Sequence, residues 1–236
     1  MEEKITFTNI QGEALDGRIH IPKEPTTKAA IVCHGFSGSK DLIWLHKICD
    51  TLEEKGIAAL RFDFSGHGES GGKFPDWTIG KGKEDVQVAL ELMKERGYKD
   101  FALVGHSAGG AVCLLSTPNH LEIKCLVSIA SPAKADREEN EEFLRQTYKR
   151  LGTPEGKLIG ELPTLEILEI AEKIDIPTLI IHGTEDEVIP IGDAELIMDI
   201  LHGEKHQEII EGGDHVLLAE TEKVVSLASN WILKYL

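Results

Sequence analysis

The stretch Phe101-Ala102-Leu103-Val104-Gly105-His106-Ser107-Ala108-Gly109-Gly110-Ala111-Val112-Cys113-Leu114-Leu115 decides the fold. Phe101 to Val104 is a short continuous apolar run of the kind buried on both faces of a parallel sheet. Ser107 to about Ser116 carries a helical pattern that stops before Pro118. Between them there is no room for a loop, so the strand must turn sharply into the helix. The small residues Gly105, Ala108 and Gly109 relieve crowding at such a turn.

Outward from this unit the same alternation repeats. Continuous apolar runs at Ala29 to Cys33, Ile57 to Phe62, Ile123 to Ile129 and Thr178 to Ile181 read as further buried strands. Gln207 to Ile210 supplies one more. Helical periodicity links them: Leu42, Leu45, His46 and Cys49 share one face, and Val86, Leu90 and Met93 share another ahead of Gly97. Ala194 to Leu201 and Val216 to Leu236 read as the last helices. Before all of these, the alternating stretches Lys4 to Thr8 and Leu15 to Ile21, joined through Gln11-Gly12, predict an antiparallel hairpin. The fold class is α/β, with a mostly parallel sheet covered on both faces. One segment, 131–174, carries no strand signal, and Glu138 to Arg150 within it reads as a helix with an acidic start. That excursion is too long for an ordinary connection and predicts a helical cap inserted into one domain spanning 1–236.

The 236 residues hold 25 basic and 41 acidic side chains, hence a formal charge of −16. This surplus repels phosphate backbones and anionic lipid headgroups, so neither nucleic acid nor a membrane is an expected partner. The opening Met1-to-Ile10 segment lacks the apolar core of a signal peptide, and no apolar run approaches the ~20 residues of a transmembrane helix. The four cysteines, Cys33, Cys49, Cys113 and Cys125, are scattered in apolar surroundings and read as reduced and buried. A cytoplasmic monomer or homodimer is the expectation.

Gly105-His106-Ser107-Ala108-Gly109 matches G-x-S-x-G, but so does Gly68-Glu69-Ser70-Gly71-Gly72. Only Ser107 stands between a buried strand and a helix, the setting that lifts a hydroxyl above a sheet; Ser70 precedes Gly71, Gly72 and Pro75 and reads as a loop serine. Gly66-x-Gly68-x-x-Gly71 imitates a dinucleotide fingerprint, yet the chain continues through Pro75 where a helix is required. A serine hydroxyl needs a base beside it and an acid behind the base. Glu185, Asp186 and Glu187 all follow His182-Gly183 after a strand. Of the ten histidines, His202, His206 and His215 lie beyond those acids; His206 opens a strand, and His215 in Gly212-Gly213-Asp214-His215, in a loop at a strand's C-terminal end, is the choice of base. His34 and His67 read as hydrogen-bonding residues that fix loops. His202 and His206 have the spacing of helical metal ligands, but Gly203 between them argues against a helix there.

These motifs together resemble the α/β hydrolases along the whole chain. His34-Gly35-Phe36 is similar to the family's oxyanion-loop motif and Asp63-Phe64-Ser65-Gly66-His67-Gly68-Glu69-Ser70 to its D-x-x-G-H-G-x-S loop. Val104 to Gly110 resembles the nucleophile elbow, His182 to Pro190 the H-G-x-x-D-x-x-V-P acid loop, and Gly213-Asp214-His215 closes the series. The resemblance implies an eight-stranded sheet, Ser107 as nucleophile, His215 as base and Asp186, among the three acids, as the residue that orients it. It places the oxyanion between the N–H groups of Phe36 and Ala108 and calls for no metal or organic cofactor. The phrase Arg61 to Phe74 and the small cap are most similar to feruloyl and cinnamoyl esterases, with monoacylglycerol lipases and serine aminopeptidases close by. The implied partner is a small-molecule ester. Phe143, Tyr148, Leu151 and Leu162 of the cap are candidates to line an acyl or aryl pocket, and packing of the cap onto the core explains them equally well.

Overall fold

The computed structural model describes residues 1–236, the side chain of Asn119 excepted. β1 (Glu2–Thr8) and β2 (Ala14–His20) form the expected hairpin. Asn9 shapes its turn: the side-chain oxygen accepts the N–H groups of Gln11 and Glu13. The strands that follow are β3 (Lys28–Cys33), β4 (Ala58–Phe62), β5 (Asp100–His106), β6 (Ile123–Ile129), β7 (Thr178–Gly183) and β8 (Lys205–Ile210). They build one eight-stranded sheet in the order β1-β2-β4-β3-β5-β6-β7-β8. β2 runs antiparallel to β4, and every pair from β4 through β3 to β8 is parallel.

Apolar runs without alternation require cover on both sides, and the helices supply it. α1 (Ile43–Glu54) and α8 (Thr221–Tyr235) bury Trp44, Leu45, Ile48, Val224, Ala228 and Ile232 against one face. α2 (Ile79–Glu95), α3 (Ala108–Ser116) and α7 (Gly192–Ile200) bury Val86, Leu90, Val112, Leu115 and Ile197 against the other. All four cysteines are free and buried. Between β6 and β7 the chain forms α4 (Glu138–Arg150), α5 (Lys157–Glu161) and α6 (Ile167–Ala171). Among the described residues, no helix is long and apolar enough to cross a membrane.

One expectation needs correction. The last helix begins at Thr221, not at Val216. The Asp214 carboxylate accepts the N–H groups of Val216 and Leu217, and Leu217 is left-handed with φ of 53°. His215 therefore sits in a pinned loop upstream of the helix rather than opening it.

The loops above the sheet are tied by a buried cation. The Lys40 ammonium, fully buried, lies 2.8 Å from Asp63, 2.9 Å from Glu69 and 3.1 Å from Asp16. Burial opposes its charge, but Asp63, Glu69 and Asp16 outweigh that and raise its pKa. Lys40 thereby joins the loop after β3 to the loop after β4. Ser70, the decoy serine, is structural: its hydroxyl donates to the Asp63 carbonyl and accepts the Asp16 N–H. Replacing Lys40 with Met strands buried carboxylates, and we expect a loss of about 3–5 kcal/mol in urea unfolding at neutral pH. A variant as stable as the parent contradicts this reading of the cluster.

Candidate active site

Ser107 occupies the turn between β5 and α3 with φ of 53° and ψ of −123°, a conformation that costs a non-glycine residue energy. Its neighbours fix it there. The Ser107 N–H donates to the Ile129 carbonyl at 2.8 Å, and Gly110 and Ala111 return N–H groups to the Ser107 carbonyl. A methyl on Gly105 would strike the Gly109 backbone, and one on Gly109 would strike the His34 carbonyl. The glycines of the motif are thus required by close backbone approach. Ser107 makes no side-chain cap to α3; its hydroxyl lies 2.9 Å from His215 Nε2.

His215 Nδ1 is 2.8 Å from Asp186 Oδ2, so the structure brings Ser107, His215 and Asp186 into one chain of hydrogen bonds. With Nδ1–H donating to the carboxylate, Nε2 carries the lone pair that faces the serine hydroxyl. Asp186 Oδ1 accepts the N–H groups of Val188 and Ile189 at 2.9 and 2.8 Å. Burial by itself raises the Asp186 pKa, but hydrogen bonds from His182, His215 and the Ile189 amide hold it well below the usual carboxylate range. Glu185 and Glu187 are exposed and join no part of this chain. The loops carrying Asp186 and His215 are pressed together, since Glu185 donates its N–H to the Gly213 carbonyl and Gly212 donates to Thr184 Oγ1.

Three supporting side chains had no assigned role in the sequence. His182 Nε2 lies 2.9 Å from the Ile189 carbonyl and 3.2 Å from Asp186 Oδ2, so it braces the carboxylate from behind. His106 donates from Nε2 to the His215 carbonyl at 2.8 Å, and Trp44 Nε1 donates to the Val216 carbonyl at 2.9 Å. The Trp44 and His106 rings meet edge to face, which fixes both donors under the His215 loop. The i, i+4 spacing of His182 and Asp186 was a visible signal. Trp44 gave none, because its partner is 172 residues away.

Phe36 and Ala108 flank the serine. Ala108 is the first residue of α3, where an N–H has no intrahelical acceptor. A methyl on Gly35 would come within 3.1 Å of Ser107 Cβ, so the loop bearing Phe36 lies against the serine. Among the described residues, neither the Phe36 nor the Ala108 N–H donates to a backbone carbonyl outside a helix or strand. His34 fixes this loop, with Nδ1 donating to the Gly35 carbonyl and Nε2 accepting the Phe64 N–H.

The serine hydroxyl stands where two spaces meet. One is an apolar cavity of about 60 Å³ beneath the cap, walled by Ile79, Ala111, Phe143, Leu158, Leu162 and Ile189. Besides Ser107, Asn140 is its polar lining side chain, and both amide hydrogens are taken by the Lys134 and Ala135 carbonyls. The other is an open cleft past Ser37, Asp41, Arg150, Glu187 and Asp214. Two of the four proposed cap residues reach the cavity, Phe143 and Leu162. Tyr148 is instead buried behind the cavity wall, against Phe36 and Phe74, and Leu151 points outward, 47% exposed.

Two groups of potential metal ligands occur among the described residues. Asp16, Asp63 and Glu69 surround the Lys40 ammonium, and in the group Glu2, His20 and His46 the Arg61 guanidinium donates to both Glu2 and His20. A cation already serves each. His202 and His206 belong to neither group.

Burial holds three neighbouring histidines neutral: His34 at about 4, and His67 and His106 at about 3. The His67 and His106 values are lowered further by His34 and His215 respectively. A histidine whose pKa falls from 6.5 on folding is protonated first in the unfolded state, so its contribution is intact above pH ~6.5 and lost on acidification. We expect the urea midpoint to be level above pH 7 and to fall steadily from about pH 6.5 to pH 4. A midpoint unchanged down to pH 4 contradicts neutral burial of these rings.

Comparison with known proteins agrees with this fold. The family described as "Serine aminopeptidase, S33" matches residues 24–163 and 162–222. The protein YqkD of Bacillus subtilis is 28% identical over 214 residues, covering 84% of this chain and 68% of the relative. A monoglyceride lipase homolog of monkeypox virus is 25% identical over 217 residues, covering 75% of this chain and 78% of the relative. Among solved structures, Est1E of Butyrivibrio proteoclasticus with ferulic acid bound superposes with a TM-score of 0.82 at 23% identity, over 98% of both chains. With the family match running over most of its length, the chain belongs to the serine aminopeptidase S33 family of α/β hydrolases.

Proposed function

We propose that the protein is a serine hydrolase of carboxylic esters with a short apolar acyl group. The observation that carries this reading is the Ser107 hydroxyl, 2.9 Å from His215 Nε2 and opening directly into the apolar cavity under the cap. Ser107 Oγ attacks the ester carbonyl as its proton passes to His215 Nε2, and Asp186 stabilises the imidazolium. The oxyanion is received by the Phe36 and Ala108 N–H groups, each donor worth ~3 kcal/mol in the transition state. His215 returns the proton to the departing alkoxide. Water, deprotonated by the same ring, then attacks the acyl-enzyme and frees Ser107 and the carboxylic acid.

The two spaces divide the substrate. An apolar acyl chain suits the cavity, whose volume of about 60 Å³ matches roughly four to six water-sized groups. The alcohol lies in the open polar cleft, which sets no comparable limit on size. A feruloyl group, suggested by the ferulic acid bound in Est1E, is bulkier than this cavity and would extend into the open cleft with the cap in this position; the monkeypox virus relative suggests a monoglyceride. The family description favours a second reading, hydrolysis of small amides by the same groups.

Ser107→Ala and His215→Ala should each lower kcat on p-nitrophenyl butyrate by on the order of 10⁴-fold or more. Activity within tenfold of the parent in either variant contradicts the assignment. Matched substrates decide the bond: butyryl p-nitroanilide turning over as fast as p-nitrophenyl butyrate would replace the ester reading with the amide one.

A further inference from the structure

The cap meets the core at a helix N-terminus. The first-turn N–H groups of α2 need acceptors from outside the helix. Thr78, the residue before α2, serves the inner pair: its hydroxyl accepts the Lys81 N–H at 3.1 Å and its carbonyl the Gly82 N–H at 2.9 Å. The outer pair is served by the cap. Glu161, at the end of α5, takes the Ile79 N–H on Oε2 at 2.6 Å and the Gly80 N–H on Oε1 at 2.9 Å. A carboxylate in this position is also favoured by the partial positive charge of the helix end. Position 80 is fitted to it, since a methyl there would lie 2.9 Å from Glu161 Oε1.

The same contact fixes a wall of the acyl cavity. Ile79 lines that cavity from the core side, and Leu158 and Leu162, three residues before Glu161 and one after it, line it from the cap side. We infer that Glu161 is the latch that holds the cap shut over the acyl cavity and thereby restricts the enzyme to short acyl chains. It touches no reacting atom and acts by positioning Leu158 and Leu162. A second tie, Arg137 with the buried Asp193, anchors the opposite end of the cap, and the other ion pair from α5 to the core, Lys157 with Asp76 at 2.9 Å, is exposed, so release of Glu161 loosens the α5 side while α4 stays attached. The substrate arm of this inference rests on the ester reading above; the latch itself does not.

The test uses the full chain, its Glu161→Ala variant and its Gly80→Ala variant. Alanine is the better helix former, so Gly80→Ala crowds the carboxylate end of Glu161 without weakening α2 intrinsically, a milder perturbation than Glu161→Ala. Amide hydrogen exchange reads the latch without substrate. In both variants exchange should rise at Ile79 and Gly80 and across 157–165, while α8 is unchanged. The chain-length profile reads the consequence. The parent should favour p-nitrophenyl butyrate over the octanoate by tenfold or more in kcat/KM. Glu161→Ala should raise the octanoate-to-butyrate ratio at least tenfold, through KM for octanoate, and Gly80→Ala should raise it in the same direction by less. Unchanged exchange in 157–165 in both variants overturns the latch. Raised exchange with an unchanged ratio overturns its role in specificity. A parent inactive on every ester defeats the ester reading and with it the chain-length role, while the exchange result still decides the latch.

Discussion

Everything in the site depends on the strained turn at Ser107. A residue with φ of 53° at the end of a buried strand is stable only where its surroundings hold it, and here neighbouring backbone does so. Ile129 at the end of β6 holds the Ser107 N–H, and the His34 carbonyl crowds Gly109. The three other non-glycine residues with positive φ are Ser37, Ala130 and Leu217. They lie in the loop after β3, at the end of β6 and in the His215 loop. Strain is thus confined to the rim where the strands end and Ser107, Asp186 and His215 gather, and the sheet below carries none of it in that form.

The loops around the turn are fixed by two electrostatic devices of opposite kind. One buries a full charge and surrounds it: Lys40 among Asp16, Asp63 and Glu69. The other buries imidazoles and keeps them neutral, so that each can donate from one nitrogen in a defined direction. His34 donates to the Gly35 carbonyl and His106 to the His215 carbonyl. Neutral rings place no positive charge beside His215, where it would oppose formation of the imidazolium on which the proposed mechanism depends. Asp186, held ionised by its hydrogen bonds, works in the same direction.

The sequence made much of this legible because certain backbone geometries admit few residues. Gly105, Gly109 and the apolar runs on either side of Ser107 could be read directly, and the alternation of runs and helical faces gave the sheet. Asp186 could be separated from Glu185 and Glu187 only by resemblance, since nothing local distinguishes three adjacent acids. The supporting contacts were hidden by distance along the chain: His106 meets His215 across 109 residues. Leu151 misled for the opposite reason, because an apolar residue at a helix end carries no mark of whether it turns inward. The start of the last helix was obscured by Asp214, whose carboxylate takes the very N–H groups a helix would have used.

The central claim is that Ser107 is a hydroxyl activated by His215 and open to an acyl donor. The most direct measurement is peptide mapping by mass spectrometry after reaction with a fluorophosphonate, which phosphonylates an activated serine. The account predicts a single adduct on Ser107 in the parent, formed at a rate that falls at least a thousandfold in His215→Ala. An adduct on Ser70 or elsewhere, or a rate on Ser107 indifferent to His215, contradicts it.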